Sequence, residues 1–471
     1  MKAFKMPTAY TILFALIILV AVLTWFVPAG QYDYAVGDDG SQQPIAGTYH
    51  EVEQTPQGVG DVILAPFKGF YDAVDVALFI MMVGGFLGVV MRTGAIDAGI
   101  ANIIRKMGGK ERLMIPILMI LFGLGGTSFG MWEETMAFFP LLLPVFIAAG
   151  YDTITAVSVI LLGAGTGVLC STVNPFATGI ASGFAGISLG EGIVLRLIML
   201  VVMEIIAILY VMRYAEGVKK NPSSSLVYHS MEESRKHFAV GEDGAKHLDI
   251  KRKITLVLFA LTFLTMIYSV IPFEDMGIDF LPTLGWWFSD LSGLFLVGGI
   301  VVGLFSRMKE EEIADSFVNG AADLLGVALI IGISRGITEI MNSGHITDTV
   351  LFWGEQALRG ASSVVFIVLT YLLYLPLSVF IPSSSGLATL SIPIMAPLGQ
   401  FAQVGKDLII TAYQSASGIV NIITPTSAVV MGALAIGRVP YDRWIKYVWK
   451  LLLIFFVLTI VFLSVAAVLG M

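Results

Sequence analysis

The chain has 471 residues, of which 56% are hydrophobic and 13% are charged, and its formal net charge is −8. Its apolar runs include residues 10–26, 193–211 and 451–469. Each can cross the hydrocarbon core of a bilayer, which takes about 20 residues in a helix. Several such runs exclude an ordinary soluble domain and predict an all-α polytopic membrane protein, while the acidic balance argues against a nucleic-acid partner.

The loops between these runs differ in charge. The first run follows Lys2 and Lys5 and is too long for a cleaved leader, so we expect a retained first span. Residues 31–61 then carry six acidic residues and no Lys or Arg, whereas residues 105–112 carry four basic residues. Because Lys and Arg accumulate on the cytoplasmic side, this predicts a multi-pass protein of the cell inner membrane with a cytoplasmic N-terminus.

The polar stretch after Asn221 divides the chain into two parts. We expect it to be an exposed connector, partly flexible, rather than a separate domain. The predicted organisation is a first repeat with an N-terminal span in residues 1–213, a cytoplasmic linker in residues 214–252, and a second, inverted repeat in residues 253–471.

Short patterns recur in the two parts in the same order. Residues 91–96 (MRTGAI) are answered by residues 341–346 (MNSGHI), 250 positions later. Four further pairs follow, namely Ser128 with Ser384, Pro140 and Pro144 with Pro393 and Pro397, Asp152 with Asp407, and Asn174-Pro175 with Thr424-Pro425. Residues 105–112, with four basic residues, map onto residues 355–362, in which Arg359 is the only basic residue. The copies are therefore predicted to cross the membrane in opposite directions. Inverted repeats are typical of secondary transporters.

Each copy contains two segments that cannot be continuous spans. Residues 123–144 and 380–397 are rich in Gly, Pro and polar residues and are predicted to be re-entrant hairpins. Residues 171–175 and 421–427 are predicted to break the span that follows each hairpin. Such residues also kink or pack ordinary membrane helices. Four breaks at matching positions nevertheless favour a substrate site, because non-helical backbone at membrane depth needs protein or cavity water around it.

Four segments resemble the YfcC-type branch of the C4-dicarboxylate anaerobic carrier-like (DcuC-like) family, within the ion-transporter superfamily. They are residues 125–134 (GGTSFGMWEE), 382–386 (PSSSG), 395–399 (MAPLG) and 425–427 (PTS). The resemblance covers nearly the whole chain. It implies a homodimer, with a scaffold domain for dimerisation and a transport domain that carries two opposed hairpins through an elevator-like motion.

The resemblance also bears on the site. In symporters of the superfamily, paired Ser-Asn-Thr motifs at the hairpin tips hold substrate carboxylates and sodium ions. Here Ser128, Ser384 and Ser385 stand near the tips without a following Asn-Thr, and Asn174 lies in the broken span.

Glu133 and Glu134 are adjacent carboxylates at predicted membrane depth, where an unpaired charge is costly. Three interpretations remain open. They bind a cationic group, as in arginine or ornithine; they carry a proton or sodium ion for coupling; or they are structural and pair with backbone amides or with Arg335. A dicarboxylate site fits least well, because two adjacent carboxylates repel a dianion. Arg335 and Glu339, at positions i and i+4 of one span, are predicted to pair with each other.

These observations predict a secondary active transporter of a small charged metabolite. Motifs of metalloproteases, serine hydrolases and nucleotide-driven pumps are absent from the sequence, so we predict no enzyme and no cofactor apart from a sodium ion or proton as coupling ion. Exchange of a basic amino acid, of the arginine/ornithine type, is favoured. The alternative is a carrier of C4-dicarboxylates or related carboxylates coupled to sodium or protons.

The predicted partners are the small-molecule substrate, the lipid bilayer and a second copy of the chain. The side chains predicted to line the substrate cavity are Ser128, Glu133, Glu134, Asn174, Ser384, Ser385, Asn421 and Thr424. Thr172 and Thr426 are the candidate sodium contacts.

Overall fold

The structure is a computed structural model. It describes residues 9–36, 42–45, 47–96, 98–99, 102, 111–188, 190–238, 248–270, 273–274, 280–286 and 288–470. Residues 105–110 of the predicted basic inside loop therefore lie outside the described part of the chain.

The first half is helical apart from one loop with two short antiparallel ladders. In that loop β1 (Gly30–Gln31) pairs with β4 (His50–Glu51), and β2 (Tyr34–Val36) pairs with β3 (Gln42–Pro44). The helices are α1 (Ala9–Leu23), α2 (Val59–Asp72), α3 (Val74–Arg92), α4 (Met114–Phe129), α5 (Phe139–Ala148), α6 (Thr153–Leu169), α7 (Ile180–Ala185) and α8 (Ile193–Lys220).

The second half repeats this helical character. After a short linker helix, α9 (Met231–His237), come α10 (Ile250–Val270), α11 (Phe288–Phe305), α12 (Glu310–Ser343), α13 (Thr347–Leu358), α14 (Ser363–Phe380), α15 (Ser384–Phe401), α16 (Lys406–Asn421), α17 (Ala428–Ile436) and α18 (Tyr441–Leu469). Within the described residues, seven helices are long and apolar enough to cross a membrane. The prediction of a polytopic helical membrane protein is confirmed.

The helices pack as two bundles. The first, which we call the flanking bundle, consists of α1–α3 and α10–α12, and α12 packs along both α2 and α3. Glycines let these backbones touch: a Cβ added to Gly69 would lie 2.4 Å from the backbone of Gly332 and Gly336, and one on Gly320 would lie 2.2 Å from the carbonyl oxygen of Gly84. Small residues at such crossings are how membrane helices approach closely.

The second, which we call the hairpin bundle, consists of α4–α8 and α14–α18. Its centre is formed by α6 and α16, which pack against each other; every residue of α6 and every residue of α16 from Leu408 to Asn421 is buried. Because protein and not lipid surrounds these two helices, polar residues at their ends can find hydrogen-bond partners at membrane depth. The bundles meet where α17 packs on α12 and where the chain after α4 contacts α3.

The hairpin bundle contains four helix interruptions, two in each half. The helix α4 ends at Gly130, which has φ +77°, and the chain continues as a 3-10 helix, Glu133–Phe138. The helices α14 and α15 are separated by residues 381–383. The helix α6 ends at Leu169 before a π-helical turn, Pro175–Gly179, and residues 422–427 separate α16 from α17. Opposite membrane orientation of the two halves, and re-entrant hairpins, stay predictions.

The first part of the linker packs against the N-terminus of α6. The helix α8 continues to Lys220, past the predicted boundary at residue 213. Beyond it, the Ser225 hydroxyl donates to Oδ2 of Asp152 (2.6 Å), and the Tyr214 hydroxyl donates to the same oxygen (2.7 Å). Ser225 is buried. Asp152 therefore ties the start of the linker to the N-terminus of α6, where we expected an exposed connector.

The glycine contact between α3 and α12 gives a test of this packing. Gly320→Ala places a methyl group against the Gly84 carbonyl, and overpacking of this kind costs about 1–3 kcal/mol. Gly293→Ala in α11, where an added Cβ meets nothing within 4 Å, is the matched control and should be neutral or slightly stabilising. Thermal denaturation of the two purified variants checks this, and equal melting temperatures would contradict the packing.

Candidate functional site

A cavity of about 550 Å³ lies between the two bundles, and we call it the interbundle cavity. Three of the four interruptions reach it from the hairpin bundle, and the α2–α3 junction and the middle of α12 reach it from the flanking bundle. Its polar and charged wall consists of Asp72, Asp75, Glu133, Glu134, Asn174, Arg335, Thr338, Asn342, Ser383, Ser384, Ser385, Thr389 and Asn421. The fourth interruption contributes Thr426 and Ser427 to a small adjoining recess of about 50 Å³.

Glu133 and Glu134 both belong to the cavity wall but have different surroundings. Glu134 is 2% exposed, and its Oε2 accepts a hydrogen bond from the backbone N–H of Trp132 at 3.1 Å. Glu133 is half-buried, also lines the recess, and lies within the electrostatic reach of Arg335 and Asp75. Glu134 therefore fits the interpretation in which the carboxylate is structural and pairs with a backbone amide, whereas Glu133 is the carboxylate better placed to meet a ligand.

Three serines form the N-terminus of α15 at the cavity. The Ser383 hydroxyl caps the helix by accepting from the N–H of Gly386 (3.2 Å), and it lies 3.2 Å from the Ser385 hydroxyl. The Ser384 carbonyl accepts from the Tyr413 hydroxyl (2.6 Å), and Ser384 lines the cavity. A helix N-terminus with free N–H groups and hydroxyls favours an anionic group.

The two asparagines of the broken spans complete the hairpin-bundle side. Asn174 packs on Gly130, where a Cβ would lie 2.5 Å from its Oδ1. That Oδ1 also accepts from the N–H of Ala177 at 3.3 Å. Asn421 is buried, and its Nδ2 lies 3.5 Å from the Ser417 hydroxyl. Both asparagines face the cavity, so the structure brings together six of the eight side chains predicted to line it.

Ser128 and Thr424 lie away from the cavity wall. The Ser128 hydroxyl donates to the carbonyl of Leu124 (2.6 Å), one turn back in its own helix, which is the usual way a helical serine satisfies its hydroxyl. The Thr424 hydroxyl lies 2.8 Å from that of Thr426. Both residues lie next to a helix interruption, as predicted. Their hydroxyl groups, however, bond to neighbouring protein atoms and not to the cavity.

The candidate sodium contacts are in closed hydrogen-bond networks. Thr172 is buried, its hydroxyl donates to the Thr127 carbonyl (3.1 Å), and its N–H donates to the Thr127 hydroxyl (3.1 Å). The Thr426 carbonyl accepts from the Ser334 hydroxyl. In the described part of the chain no three His, Cys, Asp or Glu residues are grouped to hold a metal ion. Sodium binding at Thr172 and Thr426 stays a prediction.

The flanking bundle supplies charges that the sequence reasoning missed. Arg335 does not pair with Glu339 as expected: its Nε lies 3.8 Å from Oδ2 of Asp72, while Glu339 lies 3.3 Å from Lys68. The reason is that α2 carries Lys68 and Asp72 four residues apart, and the facing helix α12 carries Arg335 and Glu339 at the same spacing. Each charge therefore faces one of opposite sign on the other helix. Pairing between the helices replaces pairing along one of them, and it holds Arg335 at the cavity.

The charges of the cavity wall are unequal. Four carboxyl groups, those of Asp72, Asp75, Glu133 and Glu134, face one guanidinium, that of Arg335. Such a wall repels a dianion, and it attracts a ligand whose cationic groups outnumber its anionic ones. Among the described wall residues Arg335 is the one positive side chain and it already pairs with Asp72, so the α15 N-terminus is the place left for one carboxylate.

A second cavity, of about 460 Å³, lies beneath the Gly47 turn of the first loop and is mostly apolar. Its charged residues already have partners, because Glu355 accepts from Arg359 (2.7 Å) and from the Tyr32 hydroxyl (2.9 Å). None of the helix interruptions reaches it. The interbundle cavity is therefore the better candidate for the substrate site.

Comparison with known proteins agrees with a membrane transporter. The family model described as C4-dicarboxylate anaerobic carrier matches residues 6–468. The chain belongs to this family. An Escherichia coli relative named "Putative basic amino acid antiporter YfcC" is 30% identical, over 100% of this chain and 98% of the relative. A Haemophilus influenzae relative, named "Uncharacterized protein", is 36% identical over 96% of this chain and 95% of its own length.

Two solved structures also align over most of the chain. The Alcanivorax borkumensis YdaH transporter is 14% identical with a TM-score of 0.44, and covers 98% of this chain and 99% of its own. Neisseria gonorrhoeae MtrF, from a class of antimetabolite efflux pumps, is 16% identical with a TM-score of 0.44, and covers 98% and 95%. Family membership rests on the sequence match, and it makes this chain a multi-pass membrane transporter.

Gly130 gives a test of the site's geometry. Gly130→Ala combines an unfavourable φ of +77° with a clash against Asn174, so we expect a loss of stability of about 2–4 kcal/mol. Gly186→Ala, at φ +65° with nothing within 4 Å, shares only the backbone cost of about 1–2 kcal/mol. Denaturation of both purified variants measures the difference. Equal losses would mean that Asn174 does not pack on Gly130.

Proposed function

We propose that this protein is a secondary active transporter that exchanges basic amino acids, of the arginine/ornithine type, across the inner membrane. The observation that carries the proposal is the unequal wall of the interbundle cavity, with four carboxyl groups, one guanidinium and one helix N-terminus. A basic amino acid has two cationic groups and one carboxylate, and so matches this wall in the sign of its charge excess. The printed name of the Escherichia coli relative agrees with this substrate class.

The wall suggests how such a molecule lies. Its carboxylate goes to the α15 N-terminus, where Ser384 and Ser385 offer hydroxyl and backbone donors. Its side-chain cation goes to the carboxyl groups of Glu133 and Asp75, which lie within electrostatic reach of each other. Hydrogen bonds between charged groups of this kind are short and comparatively strong. The cavity volume of about 550 Å³ lies in the usual range for small-molecule sites.

The position of the cavity supports alternating access. One wall belongs to the hairpin bundle and the other to the flanking bundle, so sliding of one bundle against the other would open the cavity to each side in turn. In this proposal the hairpin bundle moves with the substrate in an elevator-like way, and the flanking bundle is the scaffold that also makes a homodimer. In an empty cavity Arg335, which already pairs with Asp72, is the cation nearest to Glu133 and Asp75 among the described wall residues. The substrate cation would balance these carboxyl groups better, so the substrate-bound form crosses more readily, which favours exchange.

A second candidate is a carrier of C4-dicarboxylates or related carboxylates coupled to sodium or protons. The observations in its favour are the α15 N-terminus, Arg335 and the description of the family. It requires that protons or sodium ions neutralise the carboxyl groups of the wall while a dianion is bound.

Counterflow into proteoliposomes decides between the two. Vesicles preloaded with arginine and ornithine, or with succinate and malate, are diluted into labelled arginine or succinate, with and without sodium. Accumulation of arginine alone, without a need for sodium, is expected. Accumulation of succinate alone would contradict basic amino acid exchange and favour the second candidate.

A single-residue variant tests the cation site. Glu133→Gln removes one charge that faces the substrate cation, so we expect kcat/KM for arginine exchange to fall about 10- to 100-fold, as for a charged hydrogen bond of about 1.5–3 kcal/mol. The same variant should lose the preference of the wild type for arginine over its neutral isostere citrulline. Glu339→Gln, which affects a carboxylate paired with Lys68 outside the cavity wall, is the control. An unchanged preference in Glu133→Gln would remove Glu133 from the site.

A further inference from the structure

Glu204 is a carboxyl group that the proposed substrate site does not use. It lies in the middle of α8, eleven residues from the start of the helix, and is 8% exposed. Among the described residues neither of its carboxyl oxygens has a hydrogen-bond partner. It lies outside the wall of the interbundle cavity. Its residue type is therefore explained neither by packing nor by substrate binding.

The Glu204 carboxyl group is placed against the helix that leads to the first interruption. A Cβ on Gly123 of α4 would lie 3.1 Å from Oε2 of Glu204 and 3.2 Å from its Cδ, so the carboxyl group covers the bare backbone of that glycine. On its other side the same glycine touches α6, because a Cβ on Gly167 would lie 2.1 Å from the Gly123 carbonyl oxygen. The carboxyl group thus lies beside a close backbone contact between α4 and α6.

Among the residues that the structure describes, none of the facing helices places a cation where it could balance a charge on Glu204. The facing helices α4 and α6 have no titratable residue within their bounds, and the thiol of Cys170 follows directly after α6 with its Sγ 3.5 Å from Sδ of Met203. On α18, Tyr447 packs against aromatic rings of α8, and Lys446 and Lys450 are exposed.

The cations of α8 lie elsewhere along the helix, with Arg196 in its first turn and Arg213, Lys219 and Lys220 in its last turns. Lys219 pairs with Glu111 (3.2 Å) at its C-terminal end, and the guanidinium of Arg196 donates to the Glu191 carbonyl (2.5 Å) at its N-terminal end. An ionised carboxylate with neither donor nor counter-ion at membrane depth is strongly unfavourable.

We propose that Glu204 is a proton-binding site of the hairpin bundle, loaded from water when α4 and α8 separate and closed, as a neutral carboxylic acid, when they pack as seen here. Loading converts the carboxylate and one proton from the aqueous phase into the acid, and release is the reverse. Since the ionised form cannot enter the packed conformation, a bundle whose Glu204 has lost its proton is held out of the transport cycle. The proposal goes beyond the substrate site and concerns how pH controls the movement of the bundle.

The pH profile of exchange tests this. Arginine counterflow is measured from about pH 6 to about pH 8.5; the guanidinium and the carboxylate of arginine keep their charges in this range, and titration of its α-amino group affects the wild type and the variant alike. In the wild type we expect the rate to fall as pH rises, by up to tenfold per pH unit once Glu204 is mostly ionised. In Glu204→Gln, which is permanently neutral and nearly isosteric, the fall should be much smaller. Identical profiles for the two proteins would overturn the proposal.

Glu216→Gln is the matched control, because Glu216 is on the same helix but pairs with Arg112 (2.6 Å) at its end. Its pH profile should follow the wild type.

Infrared difference spectroscopy between acidic and alkaline pH provides a readout that needs no substrate. In the wild type a carboxylic acid C=O band should be present at acidic pH and diminish on alkalinisation. This band should be absent in Glu204→Gln. If the Gln variant does not fold, Glu204→Asp, which keeps a titratable group, takes its place. If arginine is not exchanged at any pH but the band behaves as expected, basic amino acid exchange fails and the proton site stands. If no band depends on Glu204, the proton site fails.

Discussion

Helix interruptions inside a membrane protein expose backbone N–H and C=O groups that lipid cannot satisfy, and the fold depends on meeting that requirement. Here the solution is burial in protein. The broken helices α6 and α16 are enclosed by the rest of the hairpin bundle, and groups such as Asn174, Thr127 and Ser383 bond to the freed backbone. Where an interruption reaches the interbundle cavity, some donors and acceptors remain for a ligand. The same constraint thus explains both the rigid centre and the location of the site.

Close backbone contacts set the geometry of the charges. The α2–α12 contact at Gly69, Gly332 and Gly336 brings two helices together so tightly that their unlike charges pair across the interface. Arg335 is held beside Asp72, at the junction of α2 and α3, and the cavity gains its one positive side chain. The acidic majority comes from both bundles, so relative movement of the bundles would change the field that a bound molecule experiences. Binding and movement are coupled by this arrangement in our account.

Much of the fold could be predicted from the sequence because its signals are strong. Long apolar runs predict spans, and clusters of Gly, Pro and Ser between them predict the four interruptions. The junction of α2 and α3 at Ala73 could not be predicted, since no Pro or Gly stands at residue 73. That junction places Asp72 and Asp75 at the cavity, so half of its acidic wall was missed.

The side chains predicted for the site differ in whether their local hydrogen bonds still leave them at the cavity. Glu133, Ser384 and Asn421 face the cavity, although the Nδ2 of Asn421 also lies 3.5 Å from the hydroxyl of Ser417 in its own helix. Ser128 and Thr424 have such partners within their own segment, and a sequence does not reveal which hydroxyls are satisfied locally. Arg335 was assigned a neighbour on its own helix because pairing across helices requires knowledge of which helices touch. Tertiary packing decided these cases.

The central claim is that a basic amino acid occupies the interbundle cavity at the N-terminus of α15, and thiol protection tests it most directly. Cys170, the single native cysteine, is buried, so a cysteine introduced by Ser384→Cys should be the main site of labelling by a water-soluble maleimide. Arginine should slow that labelling in a saturable way, and succinate should not. Ser128→Cys, at a residue away from the cavity wall, should be unaffected by either. Labelling of Ser384→Cys that is indifferent to arginine, or that is slowed by succinate alone, would contradict the account.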